Sequence, residues 1–230
     1  MAYLYDCHVH TAETSWCGVL RAEEMVRLYK RAGYTGIVIT DHYFKEYFDS
    51  LEEKSWEDKT ARYLKGYQAA RAAGEDCGLE VLLGIELRFD GHIEDYLVYG
   101  LTPEFLAEHP RLYEHTVESF YSFSREHNLL IIQAHPFRPG QHPAPASCLD
   151  GVEVFNGNPR HNSSNHLALE YAQRHNLIQV SGSDAHQLTD VARGGIIVER
   201  HVHTSQELAQ YLREHPVPAR KAEPEKAVGL

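Results

Sequence analysis

Two histidines separated by one residue follow the first short apolar run of the sequence, within Asp6-Cys7-His8-Val9-His10-Thr11. On an extended backbone, side chains two positions apart point to the same side, so the two imidazoles could bind one metal ion. An isolated His-x-His motif is more often a pair of surface histidines at a strand end. Its interpretation therefore depends on whether residues of the same chemistry occur at equivalent positions.

Four further apolar runs also end at a side chain that can bind metal. These ends are Asp41-His42 after GIVIT, Glu86 after EVLLGI, His135-Pro136 after LLIIQA, and Ser183-Asp184-Ala185-His186 after LIQVSG. Surface residues placed independently would rarely produce this coincidence. Imidazole and carboxylate ligands without a cluster of thiolates favour zinc, manganese or iron over an iron–sulfur centre. The sequence therefore predicts a multinuclear site for divalent metal ions.

A site of this composition could hydrolyse a phosphate ester. A glutamate among histidines can bridge two ions, and two ions about 3.5–4 Å apart can activate a water and stabilise both oxygens of a phosphoryl displacement. No Ser/His/Asp arrangement is evident, so a metal-activated water is predicted in place of a covalent nucleophile. Guanidinium groups suit phosphate oxygens. The candidate substrate-binding residues are Arg138, Arg193, Arg160 and Asn156, with Lys45 as a further cation.

Short apolar runs alternate with longer amphipathic segments, which predicts an α/β fold. Strands are predicted at residues 3–7, 36–40, 80–85, 96–99, 129–133, 151–155, 177–181 and 195–198. Helices are predicted at residues 22–32, 59–73, 112–127, 164–175 and 205–214, with Gly33 at the C-terminal end of the first. This alternation is typical of a parallel barrel or an open parallel sheet, and both bind ligands at the carboxyl ends of their strands. The candidate metal ligands occupy these ends.

The chain has 230 residues, of which 43% are hydrophobic, a size that suits a single domain. We predict this domain over residues 1–215 and a loose tail over residues 216–230, where the apolar periodicity is lost. No segment has the roughly 18–20 continuous apolar residues of a membrane helix, and the N-terminus has no signal-peptide pattern. The four cysteines form no Cys-x-x-Cys pair, which is typical of a reducing compartment. We therefore expect a cytoplasmic protein.

The formal net charge is −11 at pH 7. Such a charge repels nucleic acid backbones and anionic membranes at long range, which argues against a long nucleic acid track and against membrane binding. An anionic substrate would have to be attracted locally, and a metal cluster with a few arginines could do so. The expected partner is a small phosphorylated molecule, with a nucleotide or short oligonucleotide as the alternative.

The motifs DCHVHT, TDH, GIE, AHP and GSDAH, in this order, resemble those of the PHP family, which is named for polymerase and histidinol phosphatase members. The resemblance covers about residues 3–200, and the ordered set is specific although each motif alone is common. It implies a distorted (β/α)7 TIM-like barrel with two to three divalent metal ions, either Zn, Mn or Fe. It also implies hydrolysis of phosphate esters by a phosphatase or phosphoesterase similar to histidinol phosphatase.

The resemblance further assigns metal-binding roles to individual residues of this chain. The implied ligands are His8, His10, Cys17, His42, Glu86, His135, Asp184 and His186. One ion is expected at His8, His10, Glu86 and Asp184. Glu86 is expected to bridge to a second ion at His135, and His42 and His186 are expected to bind a third.

The predicted catalytic residues are Asp41, Asp184 and His186. Asp6 and Asp41 lie directly beside ligands in the sequence. A carboxylate in such a position can fix the tautomer of an imidazole, so we expect both to orient the metal-binding histidines.

Two positions depart from the family pattern. The first motif usually continues to an aspartate or histidine before a glycine, whereas this chain has Cys17 before Gly18. Cys17 is either a thiolate ligand of the third ion, which would favour zinc, or a buried structural cysteine. The family also often has a histidine in the strand after the glutamate, but residues 94–100 contain none. The second ion therefore has fewer protein ligands or binds Asp95.

Three functions are compatible with these residues. The first is hydrolysis of a small phosphomonoester, such as histidinol phosphate, or of a nucleotide. The second is a nuclease or phosphoesterase acting on short oligonucleotides or nucleotide bisphosphates. The third is a catalytically silent metal-stabilised module, against which the retained ligand motifs argue.

Four further candidate histidines lie outside the ordered motifs. His201-Val202-His203 is a second His-x-His motif, but it lies beyond the last ligand motif in a polar stretch, and we predict no metal binding there. His142 and His161 follow strand ends that should face the site, which makes them candidates for substrate contact.

Overall fold

Strands and helices alternate along the chain, and the predicted α/β class is confirmed. The computed structural model describes residues 2–216 and the backbone of residues 219–221. Its strands are β1 (Tyr3–Val9), β2 (Gly36–Ile39), β3 (His42–Tyr43), β4 (Glu80–Leu83), β5 (Ile85–Arg88), β6 (Asp95–Tyr99), β7 (Leu130–Gln133), β8 (Gly151–Asn156), β9 (Ile178–Gly182), β10 (Gly194–Val198) and β11 (Ala219–Lys221). Its α-helices are α1 (Ala22–Arg31), α2 (Lys45–Asp49), α3 (Trp56–Tyr63), α4 (Lys65–Cys77), α5 (Pro103–Glu108), α6 (Val117–Glu126), α7 (Asn165–His175) and α8 (Ser205–Glu214).

The strands form two sheets, in the orders β11-β10-β1-β2-β4 and β3-β5-β6-β7-β8-β9. Pairing is parallel along β1-β2-β4, β3-β5 and β7-β8-β9. The expectation of a parallel sheet is wrong for β6, which is antiparallel to both neighbours, and for β10, which is antiparallel to β1 and β11. β5 and β6 are connected only by residues 89–94, and a parallel crossover needs about a dozen residues or more.

The predicted barrel is not shown by the strand pairing, because among the described residues the two sheets are not joined into a closed ring. The sheets approach at one seam, where Val9 of β1 forms an isolated parallel bridge with Ala185, shortly after β9. His10 N donates to Ala185 O over 3.0 Å, and Ala185 N donates to His8 O over 3.3 Å. This seam brings the first and last ligand motifs of the chain together.

Several helices differ from the predicted ones in extent. The predicted helix over residues 59–73 is two helices, because α3 ends at Tyr63 and, after Leu64, α4 begins at Lys65. The predicted helix over residues 112–127 begins only after Thr116, since the side chains of Thr116 and Ser119 accept hydrogen bonds from each other's backbone N–H. Helices α2 and α5 were not predicted. For α5 a signal existed, because Thr102 caps it and Pro103 occupies its first turn.

Helix α1 shows how apolar periodicity packs a helix against the sheets. Its buried side chains include Met25, Val26, Leu28 and Tyr29, the stripe predicted from the sequence, and they pack in a cluster with residues of β2. Gly33 follows with a φ of +79°, a left-handed conformation that glycine adopts without steric cost. The predicted end of this helix is therefore confirmed.

None of the helices in the described part of the chain is long and apolar enough to cross a lipid bilayer. Most of the predicted loose tail, residues 216–230, lies outside the described residues. Within that range the backbone of Ala219–Lys221 pairs with β10 as an edge strand. The domain boundary at residue 215 stays a prediction.

Candidate metal centre

The predicted histidine and carboxylate ligands converge on one cluster, although they come from distant parts of the sequence. They lie in or shortly after β1, β3, β5, β7 and β9, and they are His8, His10, His42, Glu86, His135, Asp184 and His186. Six of the seven are buried, and the side chain of His42 is 17% exposed. The strand ends thus bring these side chains together as the sequence pattern suggested.

Glu86 lies at the middle of the cluster. Its Oε1 is 3.2 Å from His8 Nε2 and 3.1 Å from His135 Nε2. Its Oε2 is 2.6 Å from His42 Nδ1 and 3.4 Å from His10 Nε2. Each oxygen of this carboxylate therefore faces a different pair of imidazoles, which is the arrangement that a bridging ligand requires.

Asp184 provides the second carboxylate of the cluster. Its Oδ1 is 3.6 Å from His8 Nε2 and 3.4 Å from His10 Nε2. The same oxygen is 3.4 Å from His186 Nδ1. Asp184, which follows β9, therefore faces His8 and His10 at the seam between the two sheets.

The donor atoms of the cluster fit divalent metal ions. Three groups have all their ligand atoms within 4.8 Å of one another, namely His8/His10/Asp184, His8/Glu86/His135 and His10/His42/His186. His8 Nε2 and His10 Nε2 are buried and form no hydrogen bond within the described residues, whereas Glu86 Oε2 lies 2.6 Å from His42 Nδ1. A buried polar atom without a partner costs about 1–3 kcal/mol. Two such atoms facing the carboxylates of Glu86 and Asp184 are explained if metal ions bind between them.

The charges of the cluster are strongly perturbed by burial and by one another. Burial acts to lower the pKa of His8, but Glu153, Asp184 and Glu86 outweigh it and hold that pKa well above its usual value. Burial, with the nearby His186 and His42, holds the pKa of His10 well below its usual value. The neutral His10 imidazole therefore has a lone pair available, next to buried carboxylates that attract a cation.

Burial also acts to raise the pKa of the two carboxyl groups, Glu86 and Asp184, but the surrounding imidazoles outweigh it. His42 and His8 hold the pKa of Glu86 well below its usual value, and His8 and His10 do so for Asp184. Both carboxylates are therefore ionised at neutral pH and can act as metal ligands.

Glu153 supports the cluster and was missed by the sequence analysis. Its Oε1 is 3.0 Å from His8 Nδ1, and its Oε2 accepts a hydrogen bond from His135 N over 3.1 Å. An N–H at His8 Nδ1 directed at this carboxylate leaves Nε2 free to face Glu86. The available signal was weak, since Glu153 is one acidic residue inside the apolar strand β8.

Asp6 and Asp41 do not contact an imidazole among the described residues, which corrects the expectation that they fix histidine tautomers directly. Asp6 accepts hydrogen bonds from the backbone N–H groups of His8 and Ser183 and so connects β1 to the loop after β9. Asp41 accepts from Thr11 N and from Ser15 Oγ, each over 2.7 Å. Burial raises the pKa of each carboxyl group to about 6.

The effect of Asp41 on the cluster is indirect. Ser15 Oγ, which donates to Asp41, lies 3.2 Å from His10 Nδ1. The carboxylate therefore orients His10 through a hydroxyl group. Helix α4 packs closely against Asp41, because a Cβ atom added at Gly66 would lie 2.7 Å from Asp41 Oδ2.

Two of the candidate ligands have an unusual backbone conformation. His135 has a φ of +29° and Asp184 a φ of +52°, and both values fall in the region that L-residues rarely adopt. Such strain costs on the order of 1–3 kcal/mol and persists where surrounding structure determines the conformation. At both positions the strained backbone directs the side chain into the cluster.

Cys17 lies at the edge of the cluster. Its Sγ is 3.2 Å from His42 Nε2, and the residue is exposed, so the alternative of a buried structural cysteine is wrong. Burial of the sulfur acts to raise its pKa, but hydrogen bonds from His186 and His42 outweigh this and lower the pKa of Cys17 to about 6. A thiolate at this position could join His42 and His186 as a metal ligand.

Two of the predicted substrate-binding residues contact the cluster. Arg138 Nη2 donates to Asp184 Oδ2 over 2.7 Å, and Asn156 Nδ2 donates to the same oxygen over 3.2 Å. Asn156 also donates to Glu153 Oε2 over 3.0 Å. Arg138 is 18% exposed at the mouth of the site, whereas Asn156 is buried beneath it.

The other predicted cations do not contact a metal ligand through their side chains in the described structure. Arg160 forms an ion pair with Asp190, whose Oδ2 accepts from His186 N over 3.2 Å. Arg193 Nε donates to Thr189 O over 3.0 Å, and Lys45 pairs with Asp90 at the surface. Arg160 thus contacts the residue that accepts from the backbone of His186.

Asp95 does not take the place of the missing family histidine as a free ligand. Its two oxygens accept from Arg88 Nε over 2.8 Å and Nη2 over 3.1 Å. Gln141 Nε2 also donates to Asp95, and Gln141 Oε1 lies 2.8 Å from His135 Nδ1. Asp95 and Gln141 therefore orient His135, a role that the sequence did not indicate for Gln141.

The two remaining histidine candidates lie outside the cluster. His142 is exposed, with Nδ1 3.8 Å from Glu94 Oε1. His161 is also exposed, and burial together with Arg138 lowers its pKa, which places it near the mouth of the site. Of the two, only His161 keeps the predicted position for substrate contact.

Fold and cluster together define a mixed α/β protein with a buried centre of histidines and carboxylates at its strand ends. The family model of the PHP domain matches residues 6–215, and the chain belongs to the PHP domain family. The predicted family is therefore confirmed. No curated protein sequence matches the chain significantly.

Solved structures resemble the whole described fold. PsfC from Pseudomonas syringae has a TM-score of 0.70 and 15% identity over 98% of this chain and 93% of its own. A two-domain protein from Bacteroides vulgatus, described as containing a predicted PHP-like metal-dependent phosphoesterase, has a TM-score of 0.69 and 17% identity over 96% of this chain and 65% of its own. The lesion-specific endonuclease PfuEndoQ from Pyrococcus furiosus has a TM-score of 0.63 and 14% identity over 95% of this chain and 58% of its own. At these identities the likeness establishes the fold.

Proposed function

We propose that the chain is a metal-dependent hydrolase that cleaves phosphate esters, with a small phosphomonoester or a nucleotide as its substrate. The observation that carries this proposal is that three groups of ligand atoms, linked by His8 and His10, pack around the two carboxylates of Glu86 and Asp184. Membership of the PHP family and the likeness to a structure described as a metal-dependent phosphoesterase support the same reaction class.

In this proposal the cluster holds two to three divalent ions, either Zn, Mn or Fe. The first would be held by His8, His10, Glu86 and Asp184, the second by Glu86 and His135, and the third by His42, His186 and Cys17. When bound, such ions supply Lewis-acid activation of a water molecule and stabilise charge on the phosphoryl oxygens. The thiolate of Cys17 would favour zinc at the third position.

Supporting side chains hold three of the five imidazoles in one tautomer. Glu153 lies at Nδ1 of His8, Gln141 at Nδ1 of His135 and Ser15 at Nδ1 of His10. In all three cases Nε2 is the atom that faces the centre. This fixed orientation reduces the conformational freedom that the ligands would lose on binding.

Arg138 is the group best placed to bind the substrate. Its Nη2 is bonded to Asp184, while its Nε is buried without a hydrogen-bond partner among the described residues. A phosphate oxygen beside Asp184 would supply that partner, and a guanidinium can bind two such oxygens at once. Arg193, Arg160 and Asn156 would contribute by positioning, since their side chains contact protein groups.

Of the proposed catalytic residues, Asp184 and His186 lie within the cluster, and Asp41 acts on it through Ser15. His186 is 7% exposed and Asp184 is 2% exposed, and Asp184 Oδ2 accepts a hydrogen bond from Arg138. Asp41 is bonded to Thr11 and Ser15, which makes it a positioning residue for His10.

We also propose that the two sheets together form a distorted barrel of the (β/α)7 type. The bridge between Val9 and Ala185 supports this at one seam. At the other seam, β2 is followed by β3 after two residues, and β4 by β5 after one, so each strand continues from one sheet into the other.

A cytoplasmic location remains our proposal for this chain. Its four cysteines, Cys7, Cys17, Cys77 and Cys148, are free thiols in the structure. Free thiols persist in a reducing compartment, where disulfides are rare.

A second candidate substrate is a nucleotide bisphosphate or the end of a short oligonucleotide. Trp16 favours it, because its side chain is 63% exposed beside Cys17 and packs edge-on against Phe44 with ring centroids 5.3 Å apart. Nucleobases stack on exposed aromatic rings of this kind. The acidic chain argues against contact with more than a few nucleotides.

A screen of phosphate release tests these proposals. The full chain, reconstituted with manganese or zinc, is assayed on sugar phosphates, histidinol phosphate, nucleoside monophosphates, nucleotide bisphosphates and short oligonucleotides. We expect release from at least one class and none after chelation. A fully metal-loaded chain that releases no phosphate from any class would overturn the proposal and favour the catalytically silent module.

A further inference from the structure

A second group of possible metal ligands lies at the amino ends of the parallel strands. It consists of Glu80, His201 and His203, whose ligand atoms lie within 4.8 Å of one another. Glu80 is the first residue of β4, and both histidines belong to the connection between β10 and α8. We propose that these three residues bind a zinc ion at a site separate from the candidate centre.

The two histidines are held in place by the residue between them. Val202 is fully buried, its N–H donates to Tyr5 Oη over 3.0 Å, and Tyr5 Oη donates to Val202 O over 2.8 Å. Because Val202 points inward, its neighbours on either side point outward together. His201 also stacks on Tyr3, with ring centroids 5.1 Å apart and an angle of 8° between the ring planes. The sequence pattern alone did not reveal this anchoring.

The distances in this group match coordination of one ion. Glu80 Oε1 is 3.0 Å from His203 Nδ1 and 3.5 Å from His201 Nε2. Two ligands bound to one tetrahedral zinc ion at about 2.0–2.1 Å lie about 3.3 Å from each other. The two observed distances bracket this separation, so an ion could bind all three side chains with small movements.

The surroundings leave the charge of Glu80 available. In the described residues its ion pairs are both with histidines, and Arg71 nearby is paired with Glu75 over 3.1 Å. The group lines a cavity of about 570 Å³, which has room for the water that would complete the coordination. Imidazole and carboxylate ligands of this kind suit zinc.

Zinc at this site would connect β4 to the segment that leads into α8, and so join parts of the chain more than 120 residues apart in sequence. An ion that binds only the folded chain stabilises it. For a domain of this size, the stabilisation would appear as a rise of a few degrees in Tm. The site is therefore structural and is independent of the hydrolytic proposal.

Zinc binding by the full chain after treatment with a chelator tests the inference. Wild type is compared with Glu80→Gln, His203→Ala and the control His166→Ala, which removes an exposed histidine of α7 outside every ligand group. We expect wild type and control to bind one zinc equivalent more than the first two variants and to gain a few degrees in Tm that those variants lack. Equal zinc counts in all four proteins would overturn the proposal.

Circular dichroism distinguishes loss of the zinc site from a failure to fold. The phosphate-release assay distinguishes it from damage to the candidate centre. Glu80→Gln and His203→Ala should keep the wild-type spectrum and wild-type phosphate release, since neither side chain belongs to that centre. If either variant fails to fold, His201→Gln replaces it, because glutamine retains a planar group against Tyr3 without the ring nitrogen. Retention of the extra zinc by the folded variants counts against the site.

Discussion

The chain contains two His-x-His motifs, and the structure places them in different surroundings at opposite ends of β1. His8 and His10 are buried at its carboxyl end, whereas His201 and His203 are largely exposed beside its amino end. Each pair meets a glutamate, Glu86 in the first case and Glu80 in the second. The residue pattern is therefore the same, and the difference arises from what surrounds it.

Burial determines how much support each motif receives. In the buried pair, His8 is held by Glu153 and His10 by Ser15, because a polar group without access to water needs a protein partner. The exposed pair is held by a buried backbone segment, and water can satisfy its imidazoles. Substitutions in or behind the buried motif, which protein hydrogen bonds support, should therefore have large effects. Substitutions in the exposed motif should have small ones.

The largest effect should come from removing a ligand of the buried cluster. Asp184→Ala and His135→Ala should each lower kcat/KM for an aryl phosphate by at least about 10³-fold, since both remove a ligand that water cannot replace. Steady-state kinetics measure the loss, and circular dichroism monitors folding. Asp49→Asn, a change at an exposed aspartate, is the matched control. Wild-type turnover in either alanine variant would remove that residue from the site.

A smaller effect is expected from the layer behind the ligands. Glu153→Gln should lower metal affinity or activity by about 10–100-fold, because a glutamine no longer favours the His8 tautomer with its proton on Nδ1. Metal content at limiting free zinc and kcat/KM measure this, with the exposed Glu199→Gln as the control. If metal content and activity both stay at wild-type level, Glu153 does not support the cluster.

Arg138 should affect substrate binding. Arg138→Lys keeps the charge but loses bidentate bonding, and we expect KM for the phosphate ester to rise about tenfold, equivalent to about 1.4 kcal/mol. Arg174→Lys, at an exposed position of α7, should change nothing. A fall in kcat with unchanged KM would contradict a role in substrate binding.

Cys17 should show the smallest effect on activity but a distinct chemical signature. Since hydrogen bonds from His186 and His42 lower the pKa of this thiol to about 6, its alkylation in the metal-free protein should accelerate as the pH rises through about 6. The pKa of an unperturbed cysteine is about 8.5. Mass spectrometry locates the modified residue, and Cys17→Ser gives the background from the other thiols. A midpoint near the ordinary value would contradict the arrangement.

The convergence of the candidate ligands was predictable because each follows an apolar run, and the end of a buried strand is where a chain can present a polar side chain. Glu153 was not predictable in the same way, since it lies inside β8 between apolar residues. Gln141 lies in a loop whose shape only the folded chain defines. The support of the cluster thus depends on contacts between distant segments that a single sequence does not encode locally.

Strand direction was the part of the fold that periodicity could not provide. Apolar spacing identified eight of the eleven described strands and missed β3, β5 and β11. It is also the same in a parallel and an antiparallel strand. The reversal of β6 follows from the length of the connection before it, residues 89–94, which is too short for a crossover. The exposure of Cys17 likewise could not be predicted, because it depends on the conformation of a loop and not on apolar periodicity.

The candidate ligands span the sequence from His8 to His186, and the bridge between Val9 and Ala185 joins the two ends of this span. This separation in sequence affects when the centre can form during protein synthesis. Synthesis proceeds from the N-terminus, so the nascent chain cannot assemble the centre until the segment holding Asp184 and His186 has left the ribosome. Metal affinity is coupled to folding in such sites. If the centre binds metal as proposed, a fragment truncated before residue 184 would lack Asp184 and His186 and would hold the ions less tightly than the full chain.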